Sequence, residues 1–308
     1  MTTSSDTSAT VRPALWRCGA FELSLKRPLV MGILNLTQDS FSDGGRFSTP
    51  AAAIAAALQM VEAGADIIDI GAESTRPGAR PVSEEEEWAR LQLVLSALVT
   101  AIDRPISVDT RHPAIMARAI EAGAAIINDV GGFRLPEARA IVADSDVGVV
   151  SMHMQGDDPA SMQAAPMYED VCAEVGAFLF DSRRQLIEAG VSADRICLDP
   201  GFGFGKTLSH NLALFEGIAQ WAAAAPVLVG ISRKSMLGTI TGQPVDKRLA
   251  ASLAAALAAV QAGAHIVRVH DVPETVQALA VWSAIGLPAI HAGSVFKTGG
   301  HQGAPVQA

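Results

Sequence analysis

Three acceptor side chains stand at matching places in the chain. Asp109 closes the apolar run "PISVDT", Asn128 closes "AAIIND" and Asp199 closes "RICLDPG". A carboxylate accepts two parallel N–H bonds, and an amide accepts one bond while donating another. Such a set suits a flat heterocycle that presents an amino-amidine edge. Three cationic or protonatable groups, Lys234, Arg268 and His270, follow two later runs, "PVLVGIS" and "AHIVRVH". Their charge suits an anion. Two subsites are therefore expected, one for a polar ring and one for an anion. Other apolar runs also end in polar groups: Asn35, Asp69 with Glu73, Asp129, His153 and Ser232. Some of these could simply satisfy backbone amides where a loop begins.

One segment imitates a different chemistry. "DPGFGFGKT", residues 199–207, ends in the Gly-Lys-Thr of a nucleotide-binding P-loop. That loop needs four residues between its first glycine and the Gly-Lys pair. Only three separate Gly201 from Gly205, and Pro200 stands where the first glycine should be. The following "TLSHNLALFEG" is expected to begin its helix late. The spacing argues against a triphosphate cradle. The glycines are expected to let backbone approach a ring held by Asp199, lined by Phe202 or Phe204. A plain strand-to-helix turn with one packed Phe is the alternative, above all for Phe202.

The elements that must position these groups repeat along the chain. "EAGADIIDIG", "EAGAAIINDV", "EAGVSADRICLDPG" and "QAGAHIVRVH" start at residues 62, 121, 188 and 261. Each reads as a helix end, a glycine cap and a short buried strand. The intervals are long enough for two strand–helix units apiece. The missing strands are "PLVMGILNL", "PISVDT", "VGVVSMHM" and "PVLVGIS", expected to end at Leu36, Thr110, Met154 and Ser232. Continuous apolar strands belong to parallel sheets covered on both faces. Thr49-Pro50 and the Ser83…Glu86 capping-box pattern mark helix starts. The Glu84–Glu87 run suits a helix N-terminus better than a metal site.

Eight such units predict a single α/β domain, a (β/α)8 barrel, with polar strand ends gathered on one rim. An open doubly wound sheet is the alternative, but "GILNLT" lacks its Gly-x-Gly-x-x-Gly fingerprint. In barrels the loops after strands seven and eight commonly hold phosphate, which is where Lys234, Arg268 and His270 fall. The barrel is expected over residues 13–290, with residues 1–12 disordered and 291–308 a flexible tail. "NLTQDSFSDGGRF" and "ESTRPGARPVSEEEE" are expected to be mobile lid-like loops.

Composition removes several classes. With 49% hydrophobic and 18% charged residues among 308, the chain is globular. A net charge of -9 without a basic run argues against nucleic acid. Cys18, Cys172 and Cys197 are widely separated, which fits a reducing cytoplasm and offers no zinc site. The N-terminus shows no signal core, and no apolar stretch is long enough for a bilayer.

The ordered set "MGILNLTQDSFSDGG", "DIGAESTRPG", "SVDT", "IIND", "MHMQG", "LDPGFGFGK", "GISRKS" and "VRVHDV" resembles the dihydropteroate synthase family, from about Leu29 to Val272. The resemblance implies condensation of (7,8-dihydropterin-6-yl)methyl diphosphate with 4-aminobenzoate, giving 7,8-dihydropteroate and pyrophosphate with Mg2+ assisting. It implies a cytoplasmic homodimer. Asp109, Asn128 and Asp199 would hold the pterin edge, with Lys234 on its carbonyl side. Asn35, Thr75, Arg268 and His270 would bind the diphosphate, Asn35 also serving Mg2+. Phe41, Arg76, Pro77, Phe204, Ser232 and Lys234 would form the aminobenzoate pocket. Lys234, Arg268 and Asp109 would be catalytic. Two positions depart from the family pattern: Gln38, where proline is usual, and Ala72, where many members carry glycine. A pterin-binding methyltransferase and a silent pterin-binding homologue are the competing readings.

Overall fold

The computed structural model describes residues 13–36, 49–73, 82–156 and 166–286. The expected lid segments fall largely outside these residues, as do both expected tails with the positions Phe41, Thr75, Arg76, Pro77 and Gln38.

The eight strands predicted from the repeats all form, as β3 (Leu29–Asn35), β4 (Ile67–Gly71), β5 (Ile106–Asp109), β6 (Ile126–Asp129), β7 (Gly148–Met152), β8 (Ile196–Asp199), β9 (Leu228–Val229) and β10 (Ile266–Val269). Every pairing among them is parallel, in the order β8-β7-β6-β5-β4-β3-β10-β9. A parallel bridge between Leu198 and Val227 links the two end strands and closes the barrel. Strand ends come slightly earlier than expected, at Asn35, Asp109, Met152 and Val229. The ninth strand shortens most, because the chain turns through Gly230 toward Arg233, which takes φ +60°. A bulky residue in that left-handed region costs roughly 1–2 kcal/mol, so surrounding contacts must enforce it.

The intervening helices are α1 (Pro50–Glu62), α2 (Glu84–Ala101), α3 (Pro113–Glu121), α4 (Pro136–Ala143), α5 (Val171–Glu188), α6 (Leu208–Ala224), α7 (Ser235–Thr241), α8 (Leu249–Ala262) and α9 (Val272–Ile285). Thr49 caps α1 through the Ala52 N–H, with Pro50 in the first turn. Ser83 caps α2 through the Glu86 N–H at 3.2 Å. The return half of the expected capping box is replaced, since the Glu86 carboxylate pairs with Arg90 one turn on. The apolar stripes of these helices pack on the outward strand residues Val30, Leu34, Ile68, Ile70, Val108 and Val149. Among the described residues, no helix is long and apolar enough to cross a membrane.

A hairpin absent from the repeat pattern closes the base. β1 (Leu15–Cys18) and β2 (Phe21–Ser24) pair antiparallel. Trp16, fully buried, joins the inward residues Leu29, Met31, Ile67, Ile126, Val150, Cys197, Leu228 and Ile266 in one cluster. Its indole N–H donates to the Arg195 carbonyl at 2.9 Å, so the ring is buried without an unpaired donor. The base is thereby filled by apolar groups, and the polar strand ends are left to the opposite rim.

Candidate functional site

At that rim, one arginine gathers the carboxylates. Side chains two apart on a strand share a face, so Asp69, two residues before the end of β4, points inward as Gly71 does. Gly71 is in register with Asp109, and Asp109 with Asn128. Arg268 on β10 reaches this group from across β3. Its Nε donates to Asp69 Oδ2 at 2.6 Å, and Nη2 donates to Asp109 Oδ2 at 2.7 Å. Asp69 is fully buried, and Asp109 and Arg268 each keep about a fifth of their side-chain surface exposed (22% and 19%). Asn128 Nδ2 lies 3.5 Å from Asp69 Oδ1. Burial pushes the Asp109 carboxyl up to about 7; Arg268 opposes this, and the Asp69 charge adds to it. Burial works against the Arg268 charge, yet Asp69 and Asp109 together raise its pKa further. The neighbouring Asp129 has the plain structural use: it accepts the Gly131 and Phe133 N–H groups at 2.6 and 2.7 Å.

The residues 199–207 answer the P-loop question geometrically. α6 begins at Leu208, directly after Thr207, and not late as expected. The context of strand, Gly-rich loop and helix is therefore present. The lysine, however, faces inward. Lys206 is 4% exposed, and its Nζ lies 2.9 Å from the Gly201 carbonyl, 3.0 Å from the Phe204 carbonyl and 2.9 Å from His153 Nδ1. Gly201, Gly203 and Gly205 all have positive φ, between 63° and 79°. These turns aim carbonyls, not N–H groups, at the loop centre, the reverse of a phosphate cradle. Gly201 is required for a second reason: a Cβ there would stand 1.9 Å from the His153 carbonyl oxygen. Thr207 and His210 form a reciprocal capping box at the start of α6. We expect Thr207→Ala to lower stability in urea by about 1 kcal/mol while leaving KM for every substrate within about twofold of the original. A large KM change would mean that the hydroxyl contacts a ligand after all.

The other loop groups sort themselves around Asp199. Its Oδ1 accepts the Gly201 N–H at 2.7 Å. Burial raises the Asp199 pKa, and the nearby Lys234 and the Gly201 N–H counter it. Phe202 is fully buried and packs edge-on against Phe215 at 5.1 Å, so it belongs to the core. Phe204 stays partly exposed, its ring 4.5 Å beneath the Lys234 ammonium. Lys234 Nζ also donates to the Phe202 carbonyl. Burial pulls Lys234 down to about 8, with Asp199 opposing. Ser232 Oγ stands 3.1 Å from His270 Nδ1, which ties the ends of the seventh and eighth barrel strands together.

Of the expected site residues, Asp109, Asn128, Asp199, Lys234, Arg268, Ser232, His270, Phe204 and Asn35 all lie at this rim. Asn35 ends β3, in register with Gly71. Three contributors were not legible as such. In the sequence Asp69 is only a strand-end acid. The Lys206–His153 contact joins segments 53 residues apart. Arg233, held by Asp271, fixes the turn that aims Lys234. A fourth group stands where the second long loop begins. There Glu73 accepts from Arg111 at 3.1 and 3.3 Å. Burial pushes the Glu73 carboxyl up, but the His112 ring 3.6 Å away and the hydrogen-bonded Arg111 hold it down at about 2.

Comparison with known proteins bears on the family and the fold. The profile of the family described as pterin binding enzymes matches residues 31–270. The chain is 50% identical over 279 residues to the dihydropteroate synthase of Neisseria meningitidis serogroup C, covering 89% of this chain and 98% of that one. It is 47% identical over 263 residues to the Escherichia coli K12 dihydropteroate synthase, covering 85% and 93%. Among solved structures, Xanthomonas albilineans dihydropteroate synthase with 4-aminobenzoic acid superposes with a TM-score of 0.83 at 47% identity, covering 89% and 98%. The Burkholderia cenocepacia enzyme complexed with 7,8-dihydropteroate gives 0.80 at 47% identity, covering 89% and 97%.

Proposed function

The chain belongs to the dihydropteroate synthase family of pterin-binding enzymes, and we propose the following division of its chemistry among the rim residues. The reaction is the condensation of (7,8-dihydropterin-6-yl)methyl diphosphate with 4-aminobenzoate to give 7,8-dihydropteroate and pyrophosphate. Asp109, Asn128 and Asp199 hold the amino-amidine edge of the pterin, with Lys234 at its carbonyl side. Arg268, His270, Asn35 and Thr75 bind the diphosphate. Phe41, Arg76, Pro77, Phe204, Ser232 and the stem of Lys234 form the aminobenzoate pocket. The observation that carries this reading is the convergence of Asp69 and Asp109 on Arg268, with Asn128 beside Asp69, in one barrel mouth.

The C–O bond to the diphosphate breaks, and its electron pair leaves with pyrophosphate. The positive methylene is delocalised into the pterin, so the chain needs no nucleophile of its own. The arylamine nitrogen then forms the new C–N bond and loses a proton. Being a weak base, it requires no strong general base. Arg268 stabilises the departing charge, and Phe204 presents a face for the aminobenzoate ring.

The donor set fits a magnesium ion that arrives with its substrate. Among the described residues no cluster of three or more His, Cys, Asp or Glu could hold an ion alone. Asn35 offers one amide oxygen at the rim, and Mg2+ characteristically takes few protein ligands beside water and phosphate oxygens. When bound, it would neutralise charge on the leaving diphosphate. We also propose that the enzyme works in the cytoplasm as a homodimer.

The direct test is pyrophosphate release with and without 4-aminobenzoate and Mg2+. Release that needs Mg2+, with dihydropteroate formed only when 4-aminobenzoate is present, is expected. Tight pterin binding without turnover would overturn the assignment of catalysis. The pH dependence is a second check. Asp109 must be ionised to accept, so pterin affinity falls as pH drops through about 7. Lys234 must be charged, so affinity also falls as pH rises through about 8. A pterin without diphosphate, titrated calorimetrically from pH 5 to 10, should give a narrow bell. A flat profile would remove both groups from the contact.

A further inference from the structure

We propose that Lys206 is a positioning residue for both halves of the site, acting as the knot that fixes the loop between Asp199 and Phe204. This rests on the assignment of those two residues to the pterin and aminobenzoate subsites above. Lys206 is assigned to neither proposed subsite. Its ammonium lies beneath the loop, enclosed by the carbonyls of Gly201 and Phe204 and by His153 on the neighbouring strand's exit.

The connections run outward in two directions. Toward the pterin side, Gly201 gives its carbonyl to Lys206 and its N–H to Asp199 Oδ1. One peptide plane on each side of Gly201 is thereby fixed, and with it the carboxylate. Toward the aminobenzoate side, Phe204 gives its carbonyl to Lys206, and its ring is the face beneath Lys234. A shift of the Phe204 backbone moves that ring directly. The glycine turns leave the backbone no intrinsic preference for this path, so the loop depends on a central tie.

His153 completes the knot. Its ring is 7% exposed and packs edge-on against Phe178 at 5.1 Å. Burial, with Lys206 and Arg134 beside it, holds its pKa down at about 2, so the ring is neutral. Burial also pulls Lys206 down to about 7 against Asp199. The tie survives in either form. As an ammonium, Nζ donates to the two loop carbonyls and to His153, whose Nδ1 lies at 2.9 Å and whose carbonyl lies at 3.4 Å. As an amine, it donates to the two carbonyls and accepts from an Nδ1–H tautomer. In both cases removing the nitrogen takes the lysine donor from the Phe204 carbonyl and leaves the Gly201 carbonyl with only the Phe204 N–H, at 3.1 Å, so the loop must relax to rehydrate them.

The test is Lys206→Met, which keeps length and apolar volume but removes the nitrogen. Three affinities are measured on the same protein: a pterin lacking diphosphate, 4-aminobenzoate (as KM), and inorganic pyrophosphate. The first two should weaken by roughly five- to thirtyfold, the size of one or two lost buried hydrogen bonds, with pyrophosphate affinity within about twofold of the original. Uniform loss of all three would mean general loosening and overturn the proposal; so would unchanged affinity for the first two. His153→Leu carries the same test if Lys206→Met does not fold, with a smaller change in the same two affinities. His153→Asn, which can offer a polar atom near the Nδ1 position, should restore them, and failure to do so counts against the tie. Asp199→Asn is measured in parallel. If it leaves pterin affinity unchanged, the subsite assignment has failed; if it weakens pterin binding and Lys206→Met does not, only the knot has failed.

Discussion

Asp199→Asn is expected to weaken binding of a pterin by about 10- to 150-fold, with the fold intact. The magnitude follows from losing charge-assisted hydrogen bonds worth about 1.5–3 kcal/mol. The geometry says why the loss falls on the ligand and not on the loop. Asp199 Oδ1 accepts the Gly201 N–H at 2.7 Å, and an asparagine oxygen can keep that bond. The other atom becomes an NH2 donor. An amino-amidine edge presents N–H groups of its own, so a donor would meet a donor in a place that is only 6% exposed. Water has little room to relieve the mismatch. The carboxylate is also the anion that opposes the burial effect on both Lys234 and Lys206. Neutralising it should therefore lower the Lys234 pKa below about 8 and move the alkaline limb of pterin binding to lower pH. Calorimetry at two pH values, with a melting curve as the control for folding, reads both effects. Affinity within twofold of the original at both would show that another acceptor holds the ring.

Much of this arrangement could be read from residue order, and the parts that could not share a physical cause. The four repeats carry a helix end, a glycine and a buried strand, all local features; they locate four barrel strands, and the apolar runs between and before them locate the other four. Because parallel strands in a closed barrel all point one way, strand ends then identified Asp109, Asn128, Asp199 and Arg268 without knowledge of any contact. What stayed hidden is set by contacts between distant segments. The β1–β2 hairpin has only four residues per strand, and its reason for existing is Trp16 entering the barrel base. The start of α6 was misjudged because Thr207 and His210 satisfy the first turn reciprocally, and histidine is not the usual residue at the third helical position of a capping box. The glycines of residues 199–207 were read as space for a ligand. They chiefly turn carbonyls toward Lys206, whose partner His153 belongs to another strand. Ala72, a departure from the family pattern, is buried, its carbonyl accepting from Arg90 at 2.9 Å. Nothing in a linear reading distinguished Asp69 from Asp129. The first faces an arginine 199 residues away, and the second closes its own turn.

Arg268→Ala should be the most damaging single change in the mouth, and its effects should separate by ligand. Arg268 is the counter-charge for Asp69, which is fully buried, and for Asp109. Removing one partner of a buried ion pair costs roughly 3–5 kcal/mol, because the remaining charge stays without compensation. Here two carboxylates are left together, so one should take up a proton. Burial raises the Asp109 pKa, Arg268 lowers it and the Asp69 charge adds to the rise; without the arginine, Asp109 should titrate above about 7. Even a pterin lacking diphosphate should then bind more weakly near neutral pH, and part of that loss should be recovered above pH 8 as Asp109 ionises. The diphosphate substrate loses a cationic partner as well, which adds about 1.5–3 kcal/mol that no change of pH restores. The two losses therefore diverge as pH rises, the pterin recovering and the diphosphate substrate not. Arg268→Lys separates the roles further. A lysine keeps the charge but has no planar fork to hold Asp69 and Asp109 at once, so it should restore diphosphate affinity more than stability. If the two ligands instead lose affinity equally at pH 7 and pH 9, Arg268 acts only through Asp109, and the diphosphate must be held by His270 and the loop groups.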